Sequence, residues 1–297
     1  MMKAIIFGIH GQDGYYLNEL LIQNNVQVIG VSRSEGDWIP GSVSNRTFVE
    51  ELIKKHQPDY IFHLAANSTR QHSALFENHE TISTGTINIL ESVYKYSQGT
   101  KVFLAGSCLQ FMNDGRPIDE SAPFNANDVY SAERIYSVYL ARYYRQLGLK
   151  IYVGYLFHHD SPFRSERHIS MAVVCAAKRI KKGSNEIFEI GNPDVIKEFN
   201  HAKDLMRAVW ILVNQEDLFE TVLGCGVGHR IGEWITTCFR ILEINEQSHI
   251  KLKEHFKSDF SVMVSSPESI MGLGWVPEYN MEDLAHEMIN HQNKIDL

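Results

Sequence analysis

The chain has 297 residues and a mass of 34.0 kDa, about two domain lengths, so it is too long to be an isolated binding motif. Hydrophobic residues make up 44% of it and charged residues 22%, a globular composition that excludes wholesale disorder. The formal net charge of −8 argues against sequence-independent binding to nucleic acid, because such binding needs a positive field over the phosphate backbone.

The sequence offers no targeting, membrane or metal signal. The opening apolar run, Ala4 to Gly8, is too short for the core of a signal peptide, and no later run approaches the length of a membrane span. The cysteines, at positions 108, 175, 225 and 238, form no CxxC pair and have no metal-ligand spacing. We therefore expect a cytoplasmic protein with reduced thiols, without a bound metal or a membrane partner.

Short apolar runs alternate with helical patterns over the first half of the chain. The strand-length runs rich in β-branched and aromatic residues are Lys3–Phe7, Val26–Val31, Tyr60–Leu64, Lys101–Ala105 and Ile151–Tyr155. The segments that repeat apolar residues at helical spacing are Tyr15–Gln23, Thr47–His56, Thr81–Tyr96 and Tyr130–Leu147. Apolar strands that alternate with helices indicate a parallel sheet covered on both faces. The predicted fold class is therefore α/β, a doubly wound parallel sheet of Rossmann type.

The pattern changes after residue 158. A polar stretch, His158–Arg167, precedes a predicted helix over Ile169–Lys182, and a last helix is predicted around Met281–Asn290. We expect residues 1–158 to form the Rossmann domain and residues 159–297 a smaller α/β lobe that faces the substrate. Because no clear linker separates the two parts, we expect them to interleave.

A glycine-rich turn, Gly8-Ile9-His10-Gly11-Gln12-Asp13-Gly14, follows the first predicted strand and opens the first helix. Glycines at this spacing let the backbone approach a pyrophosphate, and the amino end of the helix points at its charge. In this position the turn predicts a bound dinucleotide. The residues predicted to contact it here are Gly8, His10, Gly11, Gln12, Asp13 and Gly14.

The end of the second predicted strand, Gly30-Val31-Ser32-Arg33-Ser34, indicates which dinucleotide binds. A carboxylate there would accept a hydrogen bond from the ribose 2′-hydroxyl of NAD, whereas an arginine would accommodate the 2′-phosphate of NADP. The first acidic residue after the strand is Glu35. The sequence therefore predicts NADP, contacted by Arg33, with NAD as the less favoured alternative.

Several segments spread over nearly the whole chain carry a resemblance to a known family. In chain order they are Gly8–Gly14, Gln57–Ser68, Leu156–Arg164, Gly191–Asp194 with His201–Asp204, and Leu273–Pro277. They resemble the GDP-mannose 4,6-dehydratase branch of the extended short-chain dehydrogenase/reductases. The resemblance implies a Rossmann domain with a lobe that binds a nucleotide sugar, expected to be GDP-linked, and chemistry at C4 of its hexose. It also implies a homodimer or homotetramer.

By position, the resemblance implies two groups of binding residues. The cofactor groove would be lined further by Leu64, Ala65, Ala66 and Ser68. The substrate side would be lined by Ser107, His158, Arg164, Lys197 and His201. For the two histidines, a role in core packing is an equal alternative.

The Tyr-x-x-x-Lys motif of the family corresponds to Tyr130-Ser131-Ala132-Glu133-Arg134, so an arginine replaces the lysine. Four residues apart on a helix, Tyr130 and Arg134 share one face. A phenol with a pKa of about 10 exchanges protons poorly at neutral pH, and a fixed cation beside it stabilises the phenolate. Arg134 can also donate to the nicotinamide ribose, but it cannot release a proton as lysine can.

The strand end Ala105–Phe111 corresponds to a serine- and threonine-rich stretch of the family. Ser107 falls on the hydroxyl residue that hydrogen-bonds the reacting oxygen, so Ser107, Tyr130 and Arg134 are the predicted catalytic residues. Leu109 falls where a dehydratase carries the glutamate that removes the C5 proton, and leucine has no lone pair for this task. The resemblance therefore implies redox at C4 and leaves full 4,6-dehydration open.

Three functions remain open from the sequence. The first is NADP-linked redox at C4 of a GDP-hexose. The second is 4-keto reduction or epimerisation of another nucleotide sugar, such as a UDP- or dTDP-sugar. The third is a catalytically silent relative that binds a dinucleotide as a sensor or scaffold. Tyr130 and Ser107 favour an enzyme, since a pure binding protein needs no phenol at the site of hydride transfer.

Overall fold

A computed structural model describes residues 1–291 of the chain. The strands are β1 (Lys3–Phe7), β2 (Gln27–Ser32), β3 (Ile39–Pro40), β4 (Tyr60–His63), β5 (Lys101–Ser107), β6 (Lys150–Leu156), β7 (His159–Asp160), β8 (Phe188–Ile190), β9 (Ile196–Lys197), β10 (Asn200–His201), β11 (Glu220–Leu223), β12 (His229–Arg230), β13 (Ile250–Leu252) and β14 (Val262–Met263). The α-helices are α1 (Gln12–Gln23), α2 (Arg46–His56), α3 (Leu75–Asn78), α4 (Gly85–Tyr96), α5 (Val129–Gln146), α6 (Ile169–Lys181), α7 (Ala202–Leu212), α8 (Ile231–Ile241), α9 (Glu268–Gly272) and α10 (Met281–Asn290).

The largest sheet of the described residues has seven strands, in the order β11-β6-β5-β4-β1-β2-β3. All of its neighbouring strands run parallel, which confirms the predicted doubly wound α/β class. The predicted strands are present with shifted ends. The largest shift is in β5, which continues to Ser107 instead of ending at Ala105, because Gly106 and Ser107 pair with Tyr155 and Leu156 of β6.

The register of this sheet brings the carboxyl ends of its strands to one edge. Phe7 at the end of β1 lies opposite Val31 of β2 on one side and His63 of β4 on the other. His63 in turn lies opposite Leu104 of β5. The segments that follow these strands therefore meet along a common edge, where ligands bind in open α/β sheets.

Alternate residues of the strands face two separate hydrophobic clusters. Ile5 and Phe7 of β1 pack in the cluster that α2, α4 and α5 cover. Ala4 and Ile6 pack in the cluster on the opposite face, with α1 and α7. This period of two follows from the pleat of the strand and gives the sheet a helical layer on each side.

The helix predicted over Thr81–Tyr96 is two elements in the structure. A π-helical turn, His79–Thr84, lies between α3 and α4, so the first four residues of the predicted helix belong to this wide turn. Such wide turns occur mainly at functional positions, and this one carries Thr81 to the edge of the sheet described above. No helix within residues 1–291 combines the length and the apolar character that crossing a bilayer requires.

The second half of the chain forms a separate helical cluster and also adds a helix and a strand to the main sheet. After β6 the chain builds a separate hydrophobic cluster from α6, α8 and α10, in which Trp234 stacks on Phe199 with ring centres 4.8 Å apart. Between these helices, α7 packs against the main sheet and β11 pairs with β6 at its edge. The domain boundary at residue 158 stays a prediction, and residues 292–297 of the expected lobe lie outside the described residues.

Candidate active site

A cavity of about 430 Å³ opens at the carboxyl edge of the sheet. The predicted cofactor residues that line it are Gly8, His10, Gly11, Arg33, Leu64, Ala65 and Ala66. Hydroxyl groups of Ser32, Ser34 and Ser42 add to its walls. Ser68, in contrast, is exposed beyond this lining. The structure thus brings together, in one cavity, segments that follow β1, β2 and β4.

The glycine-rich turn fits the pyrophosphate of a dinucleotide. Gly8 has φ of +94°, and a Cβ atom on it would lie 2.7 Å from the backbone nitrogen of Ala65. A Cβ atom on Gly14 would collide with the carbonyl oxygen of Gly8. The amino end of α1, at Gly11, has no side-chain cap, which leaves its backbone N–H groups available to an anion.

Gln12 and Asp13 of the same turn are engaged elsewhere. Gln12 accepts a hydrogen bond from Ser161 Oγ (2.9 Å) and donates to the carbonyl oxygen of His159 (3.3 Å). Asp13 Oδ1 lies 3.0 Å from His159 Nε2, and although burial opposes the charge, His159 lowers the pKa of this carboxyl. These two side chains therefore fasten the turn to the segment after β6, a contact that the sequence pattern did not reveal.

Arg33 lies at the rim of the cavity with 63% of its side chain exposed. Its Nη2 donates to Glu77 Oε1 at 3.1 Å, and Asn67 Nδ2 donates to Glu77 Oε2 at 2.7 Å. The hydrogen bonds from Asn67 and Arg33 lower the pKa of Glu77. Glu77 follows Arg33 by 44 residues, so no local pattern could have identified it.

Trp38, which contacts the cavity-lining His10, is another residue that sequence reasoning missed. Its ring centre lies 5.2 Å from that of His10, and its Nε1 donates to the carbonyl oxygen of Ser34 at 2.8 Å. The indole therefore holds the segment after β2 against the glycine-rich turn.

Tyr130 and Arg134 lie one turn apart near the start of α5, with 8% and 4% of their surfaces exposed. Asp128 caps this helix by accepting a hydrogen bond from the backbone N–H of Ser131 at 2.8 Å. The guanidinium carbon of Arg134 lies 5.2 Å from the centre of the Tyr130 ring. The two side chains are therefore in contact, as their shared helix face predicts.

Arg134 is also fixed to the sheet. Its Nη1 donates to the carbonyl oxygen of Ala105 in β5 at 2.5 Å. Its Nε is buried and has no hydrogen-bond partner among residues 1–291. Buried donors are nearly always paired, so this free N–H fits a ribose hydroxyl of the dinucleotide.

Ser107 ends β5 and is buried, as are the next residues of the 3₁₀ turn, Cys108 and Gln110. Ser107 Oγ accepts from the backbone N–H of Leu109 at 3.3 Å, and the Ser107 side chain also hydrogen-bonds to the Cys108 thiol. Leu109 packs against the hydrophobic cluster of the sheet. Burial raises the pKa of Cys108 to about 12, so the thiol stays protonated and is a poor nucleophile.

A cluster of charged groups joins three of the residues predicted on the substrate side. Asp160 is fully buried, with Oδ2 at 2.6 Å from His158 Nε2 and Oδ1 at 3.2 Å from Arg164 Nε. Lys197 Nζ lies 3.0 Å from His158 Nε2. A further member, His168, contacts Arg164 at 3.1 Å between Nδ1 and Nη2.

This cluster has more cations than anions. Although burial opposes its charge, contacts with His158 and Arg164 hold the pKa of Asp160 well below its usual value. Burial, together with the charge of Arg164, lowers the pKa of Lys197 to about 8, so most of it is still protonated at neutral pH. Arg164 and Lys197 thus face one carboxylate, which leaves positive charge for a diphosphate.

His201 has different neighbours. Its side chain is fully buried, and its Nδ1 accepts from the backbone N–H of Lys203 at 3.0 Å, which caps α7. Its Nε2 lies 2.9 Å from Glu287 Oε2 of α10, and its ring stacks on Tyr279 at 4.3 Å. These contacts belong to the packing of α7 and α10, and they do not bring His201 together with Lys197.

Comparisons with known proteins find relatives of this chain by sequence and by fold. GDP-mannose 4,6 dehydratase 1 of Arabidopsis thaliana is 25% identical to this chain over 319 residues, which cover 97% of the chain and 88% of that protein. UDP-glucose 4-epimerase from Brucella ovis in complex with NAD superposes with a TM-score of 0.86 at 17% identity, covering 98% of both chains. RMD from Pseudomonas aeruginosa complexed with NADPH gives a TM-score of 0.84 at 17% identity, covering 97% of this chain and 98% of that chain.

At these identities, the two structural comparisons concern the fold, which they confirm as the predicted one. The family is established by sequence, because the family model described as GDP-mannose 4,6 dehydratase matches residues 5–288. The resemblance seen in the separate motifs is therefore confirmed over nearly the full chain. The chain belongs to the GDP-mannose 4,6 dehydratase family.

Proposed function

We propose that this protein uses NADP for reversible redox at C4 of a GDP-linked hexose, with little or no loss of the C6 hydroxyl. Its family already makes it an NAD(P)-dependent enzyme that modifies a nucleotide sugar. The observation that carries the finer proposal is the buried Tyr130–Arg134 pair, which is fastened to Ala105 of β5 at the edge where the cofactor cavity opens.

Each residue of this pair has a separate task. When bound, the dinucleotide supplies the acceptor and donor of a hydride at its nicotinamide ring. Tyr130 takes the proton of the C4 hydroxyl on oxidation and returns it on reduction, while the guanidinium of Arg134 stabilises the phenolate. Ser107 donates its hydroxyl hydrogen to the C4 oxygen in place of its contact with the Cys108 thiol. Arg134 uses its unpaired Nε–H to hold the nicotinamide ribose.

The charged cluster supports a nucleoside diphosphate as the group through which the protein binds the sugar. Arg164 and Lys197 provide the charge that binds phosphate oxygens, and His158 orients Lys197. The packing of Leu109 against the hydrophobic cluster supports C4 redox without elimination, because no base stands at that position. The same groups catalyse reduction of a 4-keto sugar in the reverse direction.

The small molecules that the protein carries and converts test this proposal. We expect mass spectrometry of ligands released from the purified protein to detect NADP or NADPH. We further expect hydride transfer from a GDP-hexose to NADP, measured as deuterium that passes from the labelled C4 of the hexose to the nicotinamide ring. Conversion of UDP- or dTDP-sugars in place of GDP-sugars would reassign the substrate. A protein that binds a dinucleotide but exchanges hydride with no nucleotide sugar would be a silent relative.

Arg33→Ala is expected to weaken NADP binding about tenfold and to leave NAD binding nearly unchanged. A charge-assisted hydrogen bond contributes roughly 1.5–3 kcal/mol, and the 63% exposure of Arg33 favours the lower end of that range. Calorimetric titration of both dinucleotides into the wild type and the variant measures the change. Arg116→Ala removes a similar guanidinium that is 84% exposed, and serves as the control. Equal affinity of the wild type for NADP and NAD would contradict the assignment.

A further inference from the structure

Arg70 joins three segments that lie far apart in sequence. It belongs to the loop after β4, close behind the residues Ala65 and Ala66 that line the cofactor cavity. Its Nε lies 2.5 Å from Asp128 Oδ2, and its Nη1 lies 2.5 Å from Asp259 Oδ2. The planar guanidinium fork suits this task, because it presents separate donors to two carboxylates in one fixed geometry.

The contact with Asp128 acts on the start of α5. Asp128 Oδ1 caps the helix through the backbone N–H of Ser131, and Arg70 holds the other oxygen, Oδ2. Only 9% of the Asp128 side chain is exposed, so this ion pair is shielded from solvent. A carboxylate held at both oxygens has one orientation, and Tyr130 follows it by two residues. The contact therefore fixes the first turn, which carries the phenol.

The contact with Asp259 links Arg70 to the segment that precedes β14. Asp259 stands just before β14, which pairs with β9 so that Met263 lies opposite Lys197. The Asp259 side chain is 67% exposed, and such an ion pair contributes little to overall stability. Its effect is instead on geometry, because it ties the chain that flanks the charged cluster to Arg70.

We propose that Arg70 is a positioning residue that couples the Tyr130 end of α5 to β14, and through β14 to Lys197. The inference rests on the proposed function, in which Tyr130 exchanges the proton and Lys197 binds the diphosphate. Binding of a nucleotide sugar at Lys197 then affects the orientation of the Tyr130 phenol. The contacts that connect the two run from β14 through Asp259 and Arg70 to Asp128. Arg70 is the side chain that pairs with both Asp128 and Asp259 among the described residues, so it supplies the link between them.

Hydrogen exchange in the free protein tests the coupling without substrate. The measured amides are those at the start of α5, in Ser131 and Ala132. We expect Arg70→Gln to speed their exchange about tenfold, as loss of a capping contact does. Asp259→Asn is expected to speed it about threefold, although Asp259 has no recorded contact with α5 among the described residues. The double variant should exchange no faster than Arg70→Gln alone, because both changes cut the same link.

Arg179→Gln is the matched control. Arg179 lies on α6 and, like Arg70, bridges two carboxylates, those of Glu166 and Glu186. It should leave the exchange of Ser131 and Ala132 unchanged. Unchanged exchange in Asp259→Asn, or additive effects in the double variant, would overturn the coupling. So would an equal acceleration in Arg179→Gln, which would reflect general loosening.

Steady-state kinetics give a second test, because a residue with a merely structural role would not change kcat while leaving the dinucleotide Kd unchanged. We expect Arg70→Gln to lower kcat about tenfold at an unchanged dinucleotide Kd, and Arg70→Lys to recover part of that loss. Equal losses in the two variants, or a loss confined to dinucleotide binding, would contradict the positioning role. If the wild type converts no nucleotide sugar, the proposed function fails on its own, while the exchange result still decides whether Arg70 couples the two sides.

Discussion

Tyr130→Phe is expected to abolish turnover while leaving dinucleotide affinity nearly unchanged. The hydroxyl is needed only to exchange the C4 proton, and general acid–base catalysis of this kind typically contributes about 10²–10⁴ in rate. A phenylalanine keeps the ring that lies 5.2 Å from the Arg134 guanidinium, so the packing of the buried pair is preserved. Absorbance of the reduced nicotinamide follows turnover, and calorimetry follows dinucleotide binding.

Tyr139→Phe is the control for this substitution, because Tyr139 lies on the same helix with 57% of its side chain exposed. Its turnover should equal that of the wild type. Arg134→Lys separates charge from shape and should keep substantial activity if the positive field is what stabilises the phenolate. Normal turnover by Tyr130→Phe would show that the phenol has no part in the proton exchange.

The second large effect concerns elimination of water. With NADP and GDP-mannose in D₂O, the wild type should oxidise C4 reversibly and keep the C6 oxygen. Oxidation at C4 acidifies the C5 hydrogen, but Leu109 has no lone pair to remove it, and the neighbouring amide of Gln110 is a very weak base. Absence of a general base costs about 10²–10⁴ in rate, so loss of water should be slow. Mass spectrometry of the sugar measures both the mass and the deuterium content.

Leu109→Glu and Leu109→Gln form a matched pair for this test. The two side chains have nearly the same size and shape and differ in the carboxylate, so the pair separates its basicity from the loss of the Leu109 side chain. Only the carboxylate can act as a base, and we expect loss of water to rise in Leu109→Glu alone. Rapid loss of water by the wild type, with one deuterium at C5, would mean that another residue supplies the base and that the protein is a dehydratase.

The sequence was sufficient for five of the seven strands of the main sheet but did not predict the edge strands β3 and β11. The five strands are largely apolar and alternate with helices, so their type and their order along the chain could be predicted. The end of β5 could not, because Ser107 is held in the strand by pairing with Leu156 of β6. Glycines at positions 8 and 14 could be assigned, since their spacing alone reflects the close approach of backbones.

Residues whose role depends on distant partners were not predictable. Glu77 pairs with Arg33 across 44 positions and Asp259 with Arg70 across 189, and no local pattern marks either carboxylate. The same limit explains His201, whose neighbour Glu287 comes from the last helix of the described residues. A motif can indicate that a side chain has a defined role, but only tertiary packing determines which surface it meets.

The return of α7 and β11 to the main sheet has a consequence for synthesis on the ribosome. The apolar face that carries Ala4 and Ile6 is covered by α7 and also includes Trp275, whose Nε1 donates to the carbonyl oxygen of Asp204 at 3.0 Å. A nascent chain that has just completed β6 has α1 on this face but still lacks α7 and Trp275. Contacts so distant in sequence form slowly, and the uncovered surface meanwhile favours aggregation. We expect the emerging polypeptide to need a chaperone until its carboxyl-terminal part has left the exit tunnel.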